Sequence, residues 1–267
     1  MKNIIRRAVY AAVSLVSLFC VVSCSSDLDE IAKPSTGGNN PSASGITKLN
    51  AFISQEESMA TKAVLGQKGS DGIYPITWER GDDIAVSNTQ VVPSVFSAES
   101  AGDKTTFNLL EGQTAINAKE SGAISAFYPA SIVDKAQSTN GKYVVNLPDI
   151  QKYTEGSFDK NAYLMGAYAT VPENSPNPNL EFKSLCSVLD LQVNSSYDTR
   201  VKRIVISSTS PLSGKGEVTL STSTKELTMN QTETNTSVIL DCGESGVELK
   251  KGVVKNFYVV LPAKTYI

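Results

Sequence analysis

The run Phe257-Tyr258-Val259-Val260-Leu261-Pro262 carries apolar side chains on both faces of an extended chain. Side chains of a strand alternate between faces, so Phe257, Val259 and Leu261 point one way while Tyr258 and Val260 point the other. A strand that is oily on both faces has to be covered on both, which places this run centrally in a stacked-sheet body. Pro262 has no amide to give to a ladder and is expected to end the strand.

Other runs repeat the signal in its half-buried form. In Val188-Leu189-Asp190-Leu191-Gln192-Val193, the residues Leu189, Leu191 and Val193 share one face, and Asp190 and Gln192 the other. Val218 and Leu220, then Leu227 and Met229, flank the polar segment from Ser221 to Glu226, which reads as a hairpin. From Ile46 onward short alternating runs are broken by Gly, Pro, Asn, Asp and Ser, without a sustained helical period. The expected class is all-β.

A chain of 267 residues accommodates one large or two ordinary domains. The break in composition falls at Val171-Pro172-Glu173-Asn174-Ser175-Pro176-Asn177-Pro178-Asn179, where three prolines occur with nothing apolar between them. Such a stretch is a long loop or a linker. Taken as a boundary, it divides the chain into two β-sandwich domains, residues 46–172 and 180–267.

The amino terminus has a different logic. Lys2, Arg6 and Arg7 precede the apolar run from Ala8 to Val22, which leads into Ser23 and Cys24. A basic end, an apolar segment too short for a comfortable membrane span, and a small residue before Cys predict a lipoprotein signal peptide over residues 1–23. Cleavage is expected between Ser23 and Cys24, with lipid on the Cys24 thiol. Cys20 is the rival attachment point, but it follows the bulky Phe19. Residues 24–45, rich in Ser, Gly, Asn and Pro, read as a flexible tether.

The net charge is −3, and removal of three basic groups with residues 1–23 makes the mature chain more acidic, at −6. No stripe of Lys and Arg is available to neutralise phosphates, which sets nucleic acid aside as a partner. Histidine is absent, which removes the commonest general base, the commonest metal ligand and every Ser-His or Cys-His nucleophile. No cofactor, metal site or enzymatic chemistry is expected. An acid-pair glycosidase would need two carboxylates set across a cleft. Cys186 and Cys242 lie in or beside apolar runs, as buried thiols do, and export leaves a disulfide between them open.

Three clusters invite a functional reading beside a plain one. Glu79, Asp82 and Asp83 crowd Gly81, where a cation site is conceivable, but Gly-Asp is what a tight turn prefers. Trp78, the one tryptophan, is expected as a core anchor, with sugar stacking as the alternative. Gly214-Lys215-Gly216-Glu217-Val218-Thr219 lacks the ending and the helix of a phosphate loop and reads as a strand turn. Tyr128, Tyr143, Tyr153, Tyr163 and Tyr168 could line a glycan-binding face or fill sheet edges.

Three passages, in order, resemble the fimbrillin family of Bacteroidales, also called the major-fimbria-like or Mfa-like group. They are Trp78-Glu79-Arg80-Gly81-Asp82-Asp83-Ile84-Ala85-Val86; Ala126-Phe127-Tyr128-Pro129 with Leu147-Pro148-Asp149-Ile150-Gln151 and Tyr163-Leu164-Met165-Gly166; and the run from Leu180 to Leu189. The resemblance spans most of residues 46–264. It implies two β-sandwiches of transthyretin-like topology and a surface role in fimbria assembly or cell adhesion. The acidic cluster Asp27-Leu28-Asp29-Glu30 resembles the signal that sends such lipoproteins to the outer face of the outer membrane, and equally suits a charged linker.

Subunits of that family assemble by donor-strand exchange after proteolysis. The candidate exchangeable strand runs from Ile46 to Ile53, with Leu49, Ala51 and Ile53 alternating. Partners implied are other fimbrial subunits or further copies of the chain, the outer membrane through lipid, and a host protein or glycan receptor. Two departures stand out. No Arg lies between Arg7 and Arg80, which leaves Lys48, Lys62 and Lys68 for a trypsin-like cut, with Lys62 the candidate. The chain also stops at Ile267, where the family usually continues into further strand, so that either the sequence is truncated or the subunit lacks a carboxy-terminal donor. The rival reading is a glycan-binding surface lipoprotein of a polysaccharide-uptake system.

Overall fold

The computed structural model describes residues 45–54, 77–88, 92–117, 122–139, 141–171, 177–221, 226–233 and 235–264. In chain order the strands are Lys48–Ile53 (β1), Asp83–Ser87 (β2), Ser94–Ala98 (β3), Lys104–Leu109 (β4), Ala123–Tyr128 (β5), Val133–Thr139 (β6), Lys142–Leu147 (β7), Ile150–Lys152 (β8) and Met165–Thr170 (β9). They continue as Asn179–Ser184 (β10), Cys186–Val193 (β11), Thr199–Val201 (β12), Arg203–Ser207 (β13), Gly214–Leu220 (β14), Leu227–Gln231 (β15), Ser237–Asp241 (β16), Val247–Leu249 (β17) and Lys255–Pro262 (β18). The chain is all-β, as the alternating runs require.

Seven strands close into a barrel in the order β1-β10-β9-β5-β2-β3-β4. An open sandwich would leave edges here; the ring closes because β1 pairs antiparallel with β4 and parallel with β10. A four-stranded sheet, β15-β14-β7-β6, lies against the outside of β5. All six residues of β5 are buried for that reason. Phe127 meets the Tyr143 ring of β7 with centroids 4.4 Å apart, and the Tyr143 hydroxyl lies 3.0 Å from Ser87 Oγ. The two pack closely at Gly166, where an added Cβ would stand 2.6 Å from Leu227 Cδ1, so a larger residue would force that leucine side chain to shift.

Strands β11 and β18 form a two-stranded antiparallel ribbon, from Cys186 opposite Pro262 to Val193 opposite Lys255. Its faces serve two different cores. Cys186, Tyr258 and Val260 join the barrel-side cluster, with Val188 packed against it. Phe257, Val259 and Leu261 join a second cluster with Leu212, Val238, Leu240 and Leu249, and Leu189, Leu191 and Val193 pack there too. The doubly apolar run is thus covered on both sides, and its strand ends at Pro262.

The Pro-rich stretch does not separate two sandwiches. It joins β9 to β10, neighbours in the same barrel, paired at Lys183 with Gly166 and Ser184 with Met165. Two ladders also cross the expected boundary: β7 pairs β14, and β8 runs parallel to β16. Turn and linker demand the same residues, Pro and Asn without apolar side chains, so composition cannot tell them apart. The hairpin at 218–229 forms as expected, with Val218 opposite Met229 and Leu220 opposite Leu227.

A buried side chain stands in for a strand beside β18. Gln151 Nε2 donates to the Val260 carbonyl at 2.8 Å and its Oε1 accepts from the Val260 amide at 2.9 Å. Removing the amide strands two buried backbone groups, at about 1–3 kcal/mol for each group left unpaired. Gln151→Ala is therefore expected to lower the free energy of unfolding by about 2 kcal/mol or more, read by urea denaturation; a change within about 0.5 kcal/mol would contradict it.

Candidate functional site

Strand β1 carries the residues singled out for exchange. Leu49, Ala51 and Ile53 are fully buried in the barrel wall, while Lys48 faces water. Leu49 lies opposite Phe107 and Ala51 opposite Thr105 on β4; Ala51 and Ile53 lie beside Leu180 and Phe182 on β10. The ladder is extended by Asn50 N donating to Pro178 O and Ser54 N to Phe182 O, each at 2.9 Å. Side chains add to it: Asn50 Nδ2 donates to Asn179 Oδ1 at 3.1 Å, and Thr106 Oγ1 to Asn50 Oδ1 at 3.4 Å. A shallow groove of about 570 Å³ runs along the outer face of β1 between Asn50, Phe52, Lys104, Thr106 and Asn179.

Trp78 sits beneath this strand as a core anchor. It is fully buried, with the rings of Phe107 and Phe182 at 5.1 Å and Tyr128 at 5.4 Å, all edge-on. Phe107 and Phe182 are the ladder partners of Leu49 and Ile53, so β1 closes one wall of an aromatic box. Such a position leaves no face of the indole for a sugar.

The acidic cluster at Gly81 is a closed turn. Asp82 is buried; its Oδ2 accepts from the Glu79 amide at 2.7 Å. Its Oδ1 accepts from Tyr128 at 3.2 Å and from Lys160 Nζ at 3.1 Å, and Lys160 also reaches Glu79 Oε2 at 2.6 Å. Both carboxylate oxygens of Asp82 are thereby engaged within the protein. Gly81 takes φ +84°, the left-handed conformation that the reversal needs. Burial, then the Asp82 charge, pushes the Tyr128 hydroxyl far above its usual range. Lys160, which ties this turn to a later segment, had no signal in the sequence.

The remaining candidates disperse. Cys186 and Cys242 are free thiols that do not pair, because Cys186 points into the barrel-side core and Cys242 belongs to the second. Burial pushes the Cys186 thiol up to about 12. Tyr128, Tyr143 and Tyr163 are core residues; Tyr153 donates to Glu155 at 2.6 Å and borders one groove with Val247 and Lys255, and Tyr168 borders another. The groove at Tyr168, of about 530 Å³, lies between β9, β10 and β15 beside Glu181, Lys183, Glu226 and Thr228. The five tyrosines make no common face. Gly214 and Gly216 lie in β14. Ser23, Cys24 and Lys62 lie outside the described residues. Among the described residues no helix is long and apolar enough to cross a membrane.

No protein-family profile matches the chain, and no curated protein matches it. Solved structures do. A "putative cell adhesion protein" from Bacteroides uniformis is 15% identical, with a TM-score of 0.44 over 81% of this chain and 73% of that one. One of the same description from Bacteroides ovatus is 14% identical, with a TM-score of 0.47 over 85% and 80%. A third, from Bacteroides thetaiotaomicron, is 15% identical at a TM-score of 0.31 over 83% and 84%.

The packing of β1 makes its two faces unequal. Leu49→Ala is expected to cost about 2–5 kcal/mol, the range for emptying a buried leucine site, whereas Lys48→Ala should stay within about 0.5 kcal/mol. Chemical denaturation of the two variants beside the parent checks this, and equal losses would mean that β1 is not seated in the wall.

Proposed function

We propose that this chain is a cell-surface subunit, tied to the outer membrane by lipid on Cys24, that acts in fimbria assembly or adhesion by exchanging β1 for a strand of a neighbouring subunit. The observation that carries the reading is the setting of β1: a short strand, paired on both edges, whose three buried residues form one wall around Trp78. A strand in that position can be replaced by any segment with the same alternation, because backbone pairing supplies affinity and the alternate pockets supply specificity. The passages that resemble fimbrillins include Trp78, which packs behind this strand, and the Asp82 turn, which is hydrogen-bonded to Tyr128 of the same aromatic box. Lys62 follows β1 and offers the cut that would free it.

In this reading the chain performs no catalysis of its own, and its ligands are strands and surfaces. The dispersion of the tyrosines favours it over a glycan-binding lipoprotein, which would gather its aromatics on one exposed face.

The test is substitution of the strand itself. The chain is cut after Lys62, its own β1 left in place, and incubated with an excess of a labelled peptide of residues 46–54, then with the same peptide carrying Leu49→Asp and Ile53→Asp. The first peptide should form a complex that survives native mass spectrometry, and the second should bind at least about a hundredfold more weakly, since buried unpaired carboxylates cost several kcal/mol. Equal uptake of the two, or a cut chain that takes up neither, would overturn the exchange.

A further inference from the structure

Strand β13 is an edge of the three-stranded sheet β13-β16-β8, and its ladder runs from Arg203 opposite Asp241 to Ser207 opposite Ser237. Which of its backbone groups face outward follows from the flanking bonds. Cys242 N donates to Lys202 O and Ser208 N to Thr236 O, both at 3.0 Å. Hydrogen-bonded pairs alternate along an antiparallel ladder, so Ile204 and Ile206 also turn their backbone groups toward β16. Arg203, Val205 and Ser207 turn theirs away, and among the described residues nothing pairs them. Strand β16 is satisfied on both sides, for Ile239 N donates to Asp149 O and Tyr153 N to Asp241 O at 2.8 Å.

The outer face of this sheet is unusual for exposed surface. Val205, Ile239 and Ile150 stand side by side across the three strands in one register row. Val205 is 57% exposed and Ile150 53%. Next to them lie the row Arg203, Asp241 and Lys152 and the pair Ser207 and Ser237. Edge strands are ordinarily blunted by a central Lys, a Pro or a bulge. Here the centre of the edge is Val205, and the cations Lys202 and Arg203 sit at one end only.

We propose that β13 pairs with β13 of a second copy of this chain, antiparallel and about a local twofold at Val205. In that register Val205 faces the partner's Val205 and Arg203 faces the partner's Ser207, so every outward amide and carbonyl of the strand finds its counterpart. The basic end, Lys202 and Arg203, meets the hydroxyls of the partner's Ser208 and Ser207, twice by symmetry. Slid by two residues either way, Val205 would lie against the partner's Arg203 or the partner's Ser207, and the valine pair would be lost. Slid by four residues toward the amino terminus, the pairing sets Arg203 against the partner's Arg203, and like charges directly opposite repel. Slid the other way, it sets Arg203 against the partner's Pro211, which has no amide to give. The proposed pairing also joins the two apolar rows into one stripe over six strands and withdraws both Val205 side chains from water.

Hydrogen-bonded cross-strand pairs hold their Cα atoms about 5.5 Å apart, within the span of a disulfide. Val205→Cys in the otherwise intact chain, with β1 uncut, should therefore oxidise to a covalent dimer bridged at position 205, identified by the linked peptide in mass spectrometry. Arg203→Cys alone should not bridge to itself at that position, whereas a mixture of Arg203→Cys and Ser207→Cys should form the mixed dimer. For the unmodified chain, sedimentation should show a reversible dimer. Val205→Lys keeps the amide and a surface-compatible side chain but sets two cations together, and should weaken dimerisation by tenfold or more, since like-charge juxtaposition costs several kcal/mol.

A monomer at every concentration, a Val205→Cys chain that bridges only to another polypeptide, or a dimer indifferent to Val205→Lys would each overturn the proposal. None of these readings depends on removal or replacement of β1, so the outcome is separate from that of strand exchange.

Discussion

A strand with apolar side chains on both faces has to be sandwiched, and β18 imposes that demand on the whole molecule. Burying Phe257, Tyr258, Val259, Val260 and Leu261 contributes about 1.5–3 kcal/mol for each large side chain. Their sum is of the same order as the net stability of a domain, about 5–15 kcal/mol. With its partner β11, this ribbon therefore cannot be a surface feature. Tyr258 and Val260 draw the barrel-side core to one face, and Phe257, Val259 and Leu261 hold the second core to the other. The two cores share a wall, which is why ladders from residues 142–152 reach strands 214–220 and 239–241.

What distinguishes one part of the molecule from another is how each strand edge is satisfied. Strand β1 has neighbours on both edges, and the barrel closes through it. Beside β18, where no second strand of the ladder lies, the Gln151 side chain supplies one donor and one acceptor to Val260 and so mimics a single residue of a strand. At β13 neither device is present, and an apolar residue stands at the centre of the open edge. Unpaired edges and apolar rows are costs that pairing with another chain can relieve.

The residues declared their local roles well and their distant partners poorly. Alternation placed Leu189, Leu191 and Val193 on one face, and the doubly apolar run at 257–261 was legible as a covered strand, because both signals are contained in a few consecutive residues. Trp78 and the Gly81 turn were legible for the same reason. Closure of the barrel was not, since it needs β1 beside β10, strands separated by most of the intervening chain, and a period of two says nothing about which strands meet. Lys160 is the same case at the scale of one side chain: its ion pairs with Glu79 and Asp82 span a long loop of sequence. Cys186 and Cys242 both read as buried, yet burial in different cores keeps them apart. The prolines at 172–178 could not announce that β9 and β10, on either side of them, pair in one barrel, because a loop between paired strands and a tether between domains have the same composition.

The tight seating of β1 constrains how any exchange could run. Leu49 and Ile53 each contribute about 1.5–3 kcal/mol by burial, and departure of the strand would also bare the ladder edges of β4 and β10. A barrel emptied of β1 would thus forfeit a large part of the few kcal/mol that separate a folded domain from an unfolded one, and it would open Phe107, Phe182 and the buried Trp78 to water. An empty intermediate is accordingly a poor waypoint. Exchange has to proceed by displacement, the incoming strand pairing with one end of the groove as β1 peels from the other, so that the aromatic box is never open along its whole length. Ser54, whose amide still pairs with Phe182 at the carboxyl end of the strand, marks the end that a cut in the following segment would loosen first.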